Sequence, residues 1–282
     1  TILNNSGIKL LSNNFEDIYA HLSLNRDYDC IRLQVEIRVA EYFERLQLPD
    51  SPTIYDHLVL SLRNKDVIAS FNWDPFLFHA YLRCQHIATG PQILFLHGCA
   101  GLGYCGDHKK QGPMGSLCPV CLQPFAPTQL LYPVLDKNYA ADGYISSRWD
   151  TFRAVFKVAY LVTVFGYGAP TSDRVAINTM SSAWGDPNRR RLELFEIIDT
   201  APEADLRNKW DKFINSDHYH ILSDYYSSYL GYFPRRTCEA LWVESMEAHW
   251  LDRISIPYFN TWIELKEWYS KLVGFEENIS MG

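Results

Sequence analysis

The chain has no basic stripe. Its longest Lys/Arg block is Arg189 to Arg191, and the formal charge is −7. A surface that neutralises phosphates needs clustered Lys and Arg, so direct nucleic-acid binding is not expected. Long apolar runs are missing too. The best of them, residues 158–165, is far short of the roughly 20 apolar residues that cross a bilayer. The first residues, TILNNSGIKLL, lack a basic segment followed by an apolar one, so no signal peptide is expected. An even cysteine set is absent as well. There are 7 cysteines, and Cys99, Cys105, Cys118 and Cys121 crowd together. Clustered thiols of that kind suit metal binding in a cytoplasmic chain better than a disulfide scaffold. No internal repeat is present.

What the chain does have is apolar and aromatic mass. Of its 282 residues 47% are hydrophobic, with 8 Trp, 18 Tyr and 15 Phe. That suffices for one large domain, or one domain with a small insert. Asn14 is placed to cap a helix from Phe15 to about Leu22. Cys30 to Leu46 sets Leu33, Ile37, Ala40, Tyr42 and Phe43 mostly on one side, the pattern of an amphipathic helix. A further helix is expected from Ile54 to Leu62. VIASFN (67–72) reads as a buried parallel strand, and Pro75 suits the first turn of a helix running to Cys84. ILFLH (93–97) is a second strand candidate.

From 99 to 127 periodicity gives way to Gly, Pro and Cys. Helical periodicity resumes with Trp149, Phe152, Val155 and Phe156, behind a cap at Ser146 or Ser147. KVAYLVTVFG (157–166) looks like the clearest buried strand. It ends in the turn GYGAPTSD, and Thr171 or Ser172 caps a helix with Ala176, Met180 and Trp184 on one face. LELFEII (192–198) is another strand, closing at Asp199. Strand, glycine turn, helix, strand, acid is the order of a dinucleotide-binding βαβ unit. A helix starting at Pro202 repeats Leu206, Trp210, Phe213 and Ile214. Behind Asn260 a last one carries Trp262, Leu265, Trp268, Tyr269 and Leu272.

Four signals carry chemistry. Cys105-x2-His108 and Cys118-x2-Cys121 form two ligand pairs able to give a tetrahedral zinc four N/S donors. Cys99 could replace His108 as fourth ligand. Four protein ligands leave no open position, so the metal reads as structural. Asn72 and Asp74 sit just past a strand end, where α/β sheets bind ligands, although Asn and Asp before Pro are also ordinary turn residues. His97 ends the next strand, where a neutral imidazole can act as general base or serve as a core histidine. Gly166, Tyr167 and Gly168 fall short of a full GxGxxG, yet glycine there permits close backbone approach to phosphate or ribose. His218 and His220 alternate around Tyr219 near Asp217 and Asp224 and read as a solvated helix face rather than a second metal site.

The order of these signals resembles the sirtuins and the wider sirtuin-like NAD-consuming domains. The family's Thr-Asn-x-Asp is similar to Phe71, Asn72, Trp73, Asp74. Its His-Gly is similar to His97 and Gly98, its zinc ribbon to Cys105, His108, Cys118 and Cys121, and its glycine-containing loop to GYGAPTSD (166–173). The resemblance implies an α/β, Rossmann-like parallel sheet flanked by helices, covering 1–98 and 128–282. It further implies a zinc-binding module inserted at 99–127 and a helical C-terminal part. It implies NAD as substrate and zinc as structural metal. Asn72 would bind the nicotinamide ribose and Asp74 the nicotinamide end. His97 would act as base at the ribose. Gly166, Tyr167 and Gly168 would line the adenosine half, with Asp199 near the adenine ribose.

Two departures refine this. The family's Gly-Ala-Gly-x-Ser phosphate loop is not among these residues, although Ser6-Gly7-Ile8 resembles the segment that follows it. The loop is then expected before Thr1; were it truly missing, NAD binding would be weakened. The family's acyl-lysine segment Val-x-Phe-Gly-Glu is replaced by LLYPVLDKNY (130–139). The resemblance therefore favours the branch that hydrolyses NAD, several members of which serve bacterial antiviral defence. Lysine deacylation and a non-catalytic nucleotide-sensing module remain alternatives. A homo-oligomer, or a fused or partner sensor protein, is compatible with any of them.

Overall fold

The computed structural model describes residues 13–133, 137–170, 173–214 and 218–280. The expected caps Thr171 and Ser172, the Ser6-Gly7-Ile8 segment and Asp217 lie outside these residues. The chain is mixed α/β. Helices α1 (Phe15–Ser23), α2 (Asp29–Glu44) and α3 (Ile54–Leu60) come first. Strand β1 (Val67–Ser70), helix α4 (Phe76–Cys84) and strand β2 (Gln92–Phe95) follow. Next come β3 (Leu102–Cys105), β4 (Lys110–Pro113) and β5 (Ala126–Pro127). After them run α5 (Gly143–Val158), β6 (Leu161–Phe165), α6 (Arg174–Trp184) and β7 (Leu194–Ile198). The chain continues with α7 (Glu203–Trp210), β8 (Tyr219–Leu222), α8 (Tyr229–Tyr232), α9 (Thr237–Glu247) and α10 (Trp262–Ser280).

Two parallel sheets carry the fold. One pairs β1 with β2, and the other runs β6-β7-β8. Parallel neighbours need a crossover, and α4, α6 and α7 supply it. Central β7 is buried throughout, including Glu196. The segment 99–127 is built differently, as a small antiparallel sheet in the order β4-β3-β5. One continuous apolar core joins the parts. Trp149 of α5 donates its indole N–H to the Leu96 carbonyl at 3.1 Å, tying that helix to the end of β2. Leu265 and Tyr269 of α10 are fully buried in the same core.

Four local expectations are corrected. Asp142, not Ser146 or Ser147, caps α5; its carboxylate accepts from the Ile145 N–H at 2.8 Å, and the helix begins a turn earlier. Lys157 and Val158 belong to the end of that helix, with Val158 76% exposed, and β6 is half-buried rather than the best-buried strand. β-Branched composition alone does not separate a helix end from a strand start. His220 lies on strand β8, not on a helix, because alternation over four residues is too short to announce itself. On α2 the residues Leu33, Ile37 and Tyr42 are exposed, and Val35 is the buried one. Helices form at the other expected places with bounds shifted by a few residues, α7 stopping at Trp210 before Phe213 and Ile214, and the Asn14 side chain caps α1 by accepting from the Glu16 N–H at 2.9 Å.

Candidate functional site

The carboxyl ends of the two parallel sheets converge. Phe71 follows β1, His97 follows β2 and Tyr167 follows β6. The Phe71 and Tyr167 rings stack with centroids 4.1 Å apart. The His97 ring meets Phe71 edge-on at 5.0 Å. Crevices at the carboxyl ends of parallel strands are where α/β folds bind ligands, since the connecting loops splay apart there.

His97 is buried, with 4% exposure. Its Nε2 lies 3.3 Å from the Tyr139 hydroxyl and 3.8 Å from Asp173 Oδ1. Asp173 in turn accepts from Tyr167 Oη at 2.8 Å and pairs with the buried Lys137. Burial and the Lys137 charge push the His97 pKa down to about 3, and Asp173 offsets that in part. The imidazole is therefore neutral at neutral pH. The next residue fixes the local path. Gly98 has φ +82°, and a Cβ there would sit 2.1 Å from the Gln129 carbonyl oxygen. Glycine is required on both counts.

Asn72 is exposed, and its backbone N–H reaches Ser70 Oγ at 3.2 Å. Asp74 Oδ1 accepts from the Phe76 N–H at 3.2 Å, as an Asx turn opening α4. Burial raises the Asp74 pKa, partly offset by bonds from the Phe76 backbone and the Asn72 side chain. The turn role is thus real, and it holds the carboxylate beside the β1 end.

The glycine turn divides its residues. Gly166, with φ +63°, donates its N–H to the Ile198 carbonyl at 2.9 Å. It lines a cavity of about 440 Å³ at the ends of β6, β7 and β8, together with Asp199, Asp224, Tyr225 and Tyr226. Tyr167 turns the other way, into the His97 cluster, and Gly168 meets no neighbour that would oppose a side chain. Of the residues singled out in the sequence, Gly166 and Asp199 line the cavity and His97 lies in the buried cluster. Sequence reasoning gave no role to Lys137, Tyr139 or Asp173, which lie far from His97 in the chain although they fall inside the segments 130–139 and 166–173. It also missed Tyr225, whose hydroxyl donates to Ser61 Oγ at 3.0 Å from the cavity wall.

Cys105, His108, Cys118 and Cys121 bring their ligand atoms within 4.8 Å of one another. Cys105 Sγ is 3.8 Å from Cys121 Sγ and 3.4 Å from His108 Nδ1, and Cys118 Sγ is 3.9 Å from that nitrogen. A tetrahedral zinc with ordinary bond lengths puts sulfurs about 3.8 Å apart and sulfur and nitrogen about 3.6 Å apart. The cluster fits such an ion. Cys99 stands apart, its thiol directed at the Asp74 and Ala100 carbonyls, so His108 is the fourth donor of the set.

Comparison with known proteins gives one kind of match. No family model matches the chain, and no curated protein does. Solved Sir2 structures are similar to it. A Sir2 homologue in complex with NAD is 12% identical, covering 88% of this chain and 86% of that one, with a TM-score of 0.41. A Sir2 in complex with an inhibitor, 2'-O-acetyl-ADP-ribose and a deacetylated peptide is 15% identical, covering 88% and 90%, with a TM-score of 0.39. A mutant Sir2 homologue bound to ADP-ribose is 12% identical, covering 88% and 89%, with a TM-score of 0.37. Among the described residues no helix is long and apolar enough to cross a membrane.

Proposed function

We propose that this chain hydrolyses NAD, releasing nicotinamide and ADP-ribose. The observation that carries the reading is the meeting of Phe71, His97 and Tyr167 at the strand ends, beside a cavity that holds Gly166 and Asp199. The cavity takes the adenosine half, with Asp199 at its ribose. Asn72 and Asp74 hold the nicotinamide ribose and the ring amide. The bond between nicotinamide nitrogen and ribose carbon breaks, the pair of electrons leaves with nicotinamide, and water bonds to the ribose carbon. His97 accepts the proton that this water gives up. Its low pKa keeps it unprotonated at neutral pH, so it does not serve as an acid. A ribose hydroxyl takes the place of the Tyr139 hydroxyl at Nε2 and passes the water's proton to it. Zinc braces the β3–β5 sheet from Cys105, His108, Cys118 and Cys121. A cytoplasmic setting, where thiols stay reduced, goes with this reading.

The test is nicotinamide release from NAD, followed by chromatography. His97→Ala and Asn72→Ala are each expected to lower turnover by at least about 100-fold, the lower range for a lost general base. Full activity in both would sink the proposal. A second reading has its own observation: His97 is 4% exposed and capped by Tyr139. On that reading the chain binds NAD or ADP-ribose without turnover. Calorimetric binding with no nicotinamide released would favour it.

A further inference from the structure

Away from the proposed NAD site, a second cavity lies on the far edge of the β6-β7-β8 sheet. It is a groove of about 810 Å³ running beside β8. Strand β8 pairs with β7 on one side and with no described strand on the other. The pairing direction is settled by two bonds. Phe195 donates its N–H to the His218 carbonyl, and Asp199 donates to the Leu222 carbonyl. In a parallel ladder alternate residues use one edge, so His218, His220 and Leu222 face β7. The N–H and C=O of Tyr219 and Ile221 then face the groove. Among the described residues no hydrogen-bond partner is found for them. Exposed ladder groups of this kind are a template for an added strand.

The walls say what kind of strand. Tyr229, Tyr232 and Trp250 supply aromatic surface, with Trp250 78% exposed. Glu203 and Glu244 line the groove, and Arg253, the cation among its walls, lies over the Tyr232 ring at 4.1 Å. Buried Glu196 stands behind, 3.7 Å from His220 Nδ1. Among the lining side chains the carboxylates outnumber the arginine, and Arg207 of α7 lies over the Tyr219 ring at 5.1 Å. Two copies of a concave groove cannot bring their recessed edges together, so a second β8 is a poor occupant.

We infer that the groove binds an extended basic peptide segment, from another protein, as a fourth strand on β8. Its backbone pairs with Tyr219 and Ile221. Its apolar side chains cover the aromatic wall, and its Lys or Arg side chains meet Glu203 and Glu244.

The probe is a fluorescein-labelled, end-blocked heptapeptide of alternating valine and lysine, titrated into the full chain and read by anisotropy. Ile221→Pro is the deciding variant. It removes an N–H that points away from β7, which an edge strand tolerates. Saturable binding is expected, weakened about tenfold by Ile221→Pro, roughly the value of one charge-independent backbone bond. Glu203→Lys should weaken it further, and the matching valine–glutamate peptide should not bind. Amide exchange at Tyr219 and Ile221 should slow when the valine–lysine peptide is present, a readout that needs no variant. Several results would overturn the inference: no saturable binding, affinity unchanged by Ile221→Pro with no slowing at those amides, equal binding of the acidic peptide, or a dimer that Ile221→Pro dissolves. None of these arms reads NAD turnover, so the proposed hydrolysis stands or falls separately.

Discussion

Asp173 is the residue on which the His97 cluster depends. It holds Lys137 and the Tyr167 hydroxyl, and both members of the ion pair are 5% exposed. Removing one partner leaves a charge without water or counter-ion, which costs about 3–5 kcal/mol. Asp173→Asn is therefore expected to lower the urea unfolding free energy by that amount. The double variant Lys137→Met with Asp173→Leu should recover most of it. A loss under about 1 kcal/mol in Asp173→Asn would mean the pair does not hold this corner. The buried histidines set the pH response. His97 and His57 have pKa values lowered from 6.5 to about 3 and about 4, mainly by burial. The unfolded chain takes up these protons first as pH falls, so stability is full above about 6.5 and is lost down through the folded values. Thermal midpoints should fall steadily from pH 6.5 to pH 4, and less steeply in His57→Gln. A flat profile over that range would contradict the burial argument.

At the scale of elements, the antiparallel sheet β4-β3-β5 differs from the rest in what holds it. Its strands are short, and β5 has two residues. Phe125 packs over Gly103 and Gly112, where added Cβ atoms would lie 2.5 and 2.7 Å from its side chain. So little apolar surface cannot hold such a sheet alone, and a metal held by Cys105, His108, Cys118 and Cys121 would close the deficit. One zinc per chain is expected by elemental analysis. Stripping it with a chelator should speed amide exchange in β3 and β4 while β7 stays protected. Two equivalents of zinc, none, or equal loss of protection in β7 would contradict the four-ligand site. The rest of the elements were legible from periodicity, as for α4, α6 and α10, and for α1 from its Asn14 cap as well. They were misread where chemistry competed: Ser146 and Ser147 are good caps in isolation, but Asp142 lies at the position where the chain turns.

At the scale of the molecule, a buried hydroxyl relay joins the C-terminal helix to the cavity. Tyr269 of α10 lies 3.2 Å from Ser61 Oγ, and Ser61 accepts from Tyr225 at the cavity wall. His57 Nδ1 lies 3.3 Å from the same Tyr269 hydroxyl. A ligand that fills the cavity and binds only the folded chain should then raise its stability. ADP-ribose at about 100 times its dissociation constant should add about 2.7 kcal/mol to the unfolding free energy. Asp199→Ala should shrink that gain at equal ligand concentration. No shift in thermal midpoint with millimolar ADP-ribose would argue that the cavity does not take the nucleotide.

The sequence by itself determined the parallel strands β1, β2, β6 and β7 to within a few residues, though not β8, along with most helices and the grouping of Cys105, His108, Cys118 and Cys121. These are local properties: apolar runs, caps and ligand spacing act over a few residues. It did not determine what surrounds His97. Lys137, Tyr139 and Asp173 reach it through loops and a helix start far along the chain, and no periodicity links them. Nor did it show that Tyr167 turns inward while Gly166 faces the cavity, or that β8 leaves one edge unpaired. Those follow from which strands neighbour which, and only the packed core decides that.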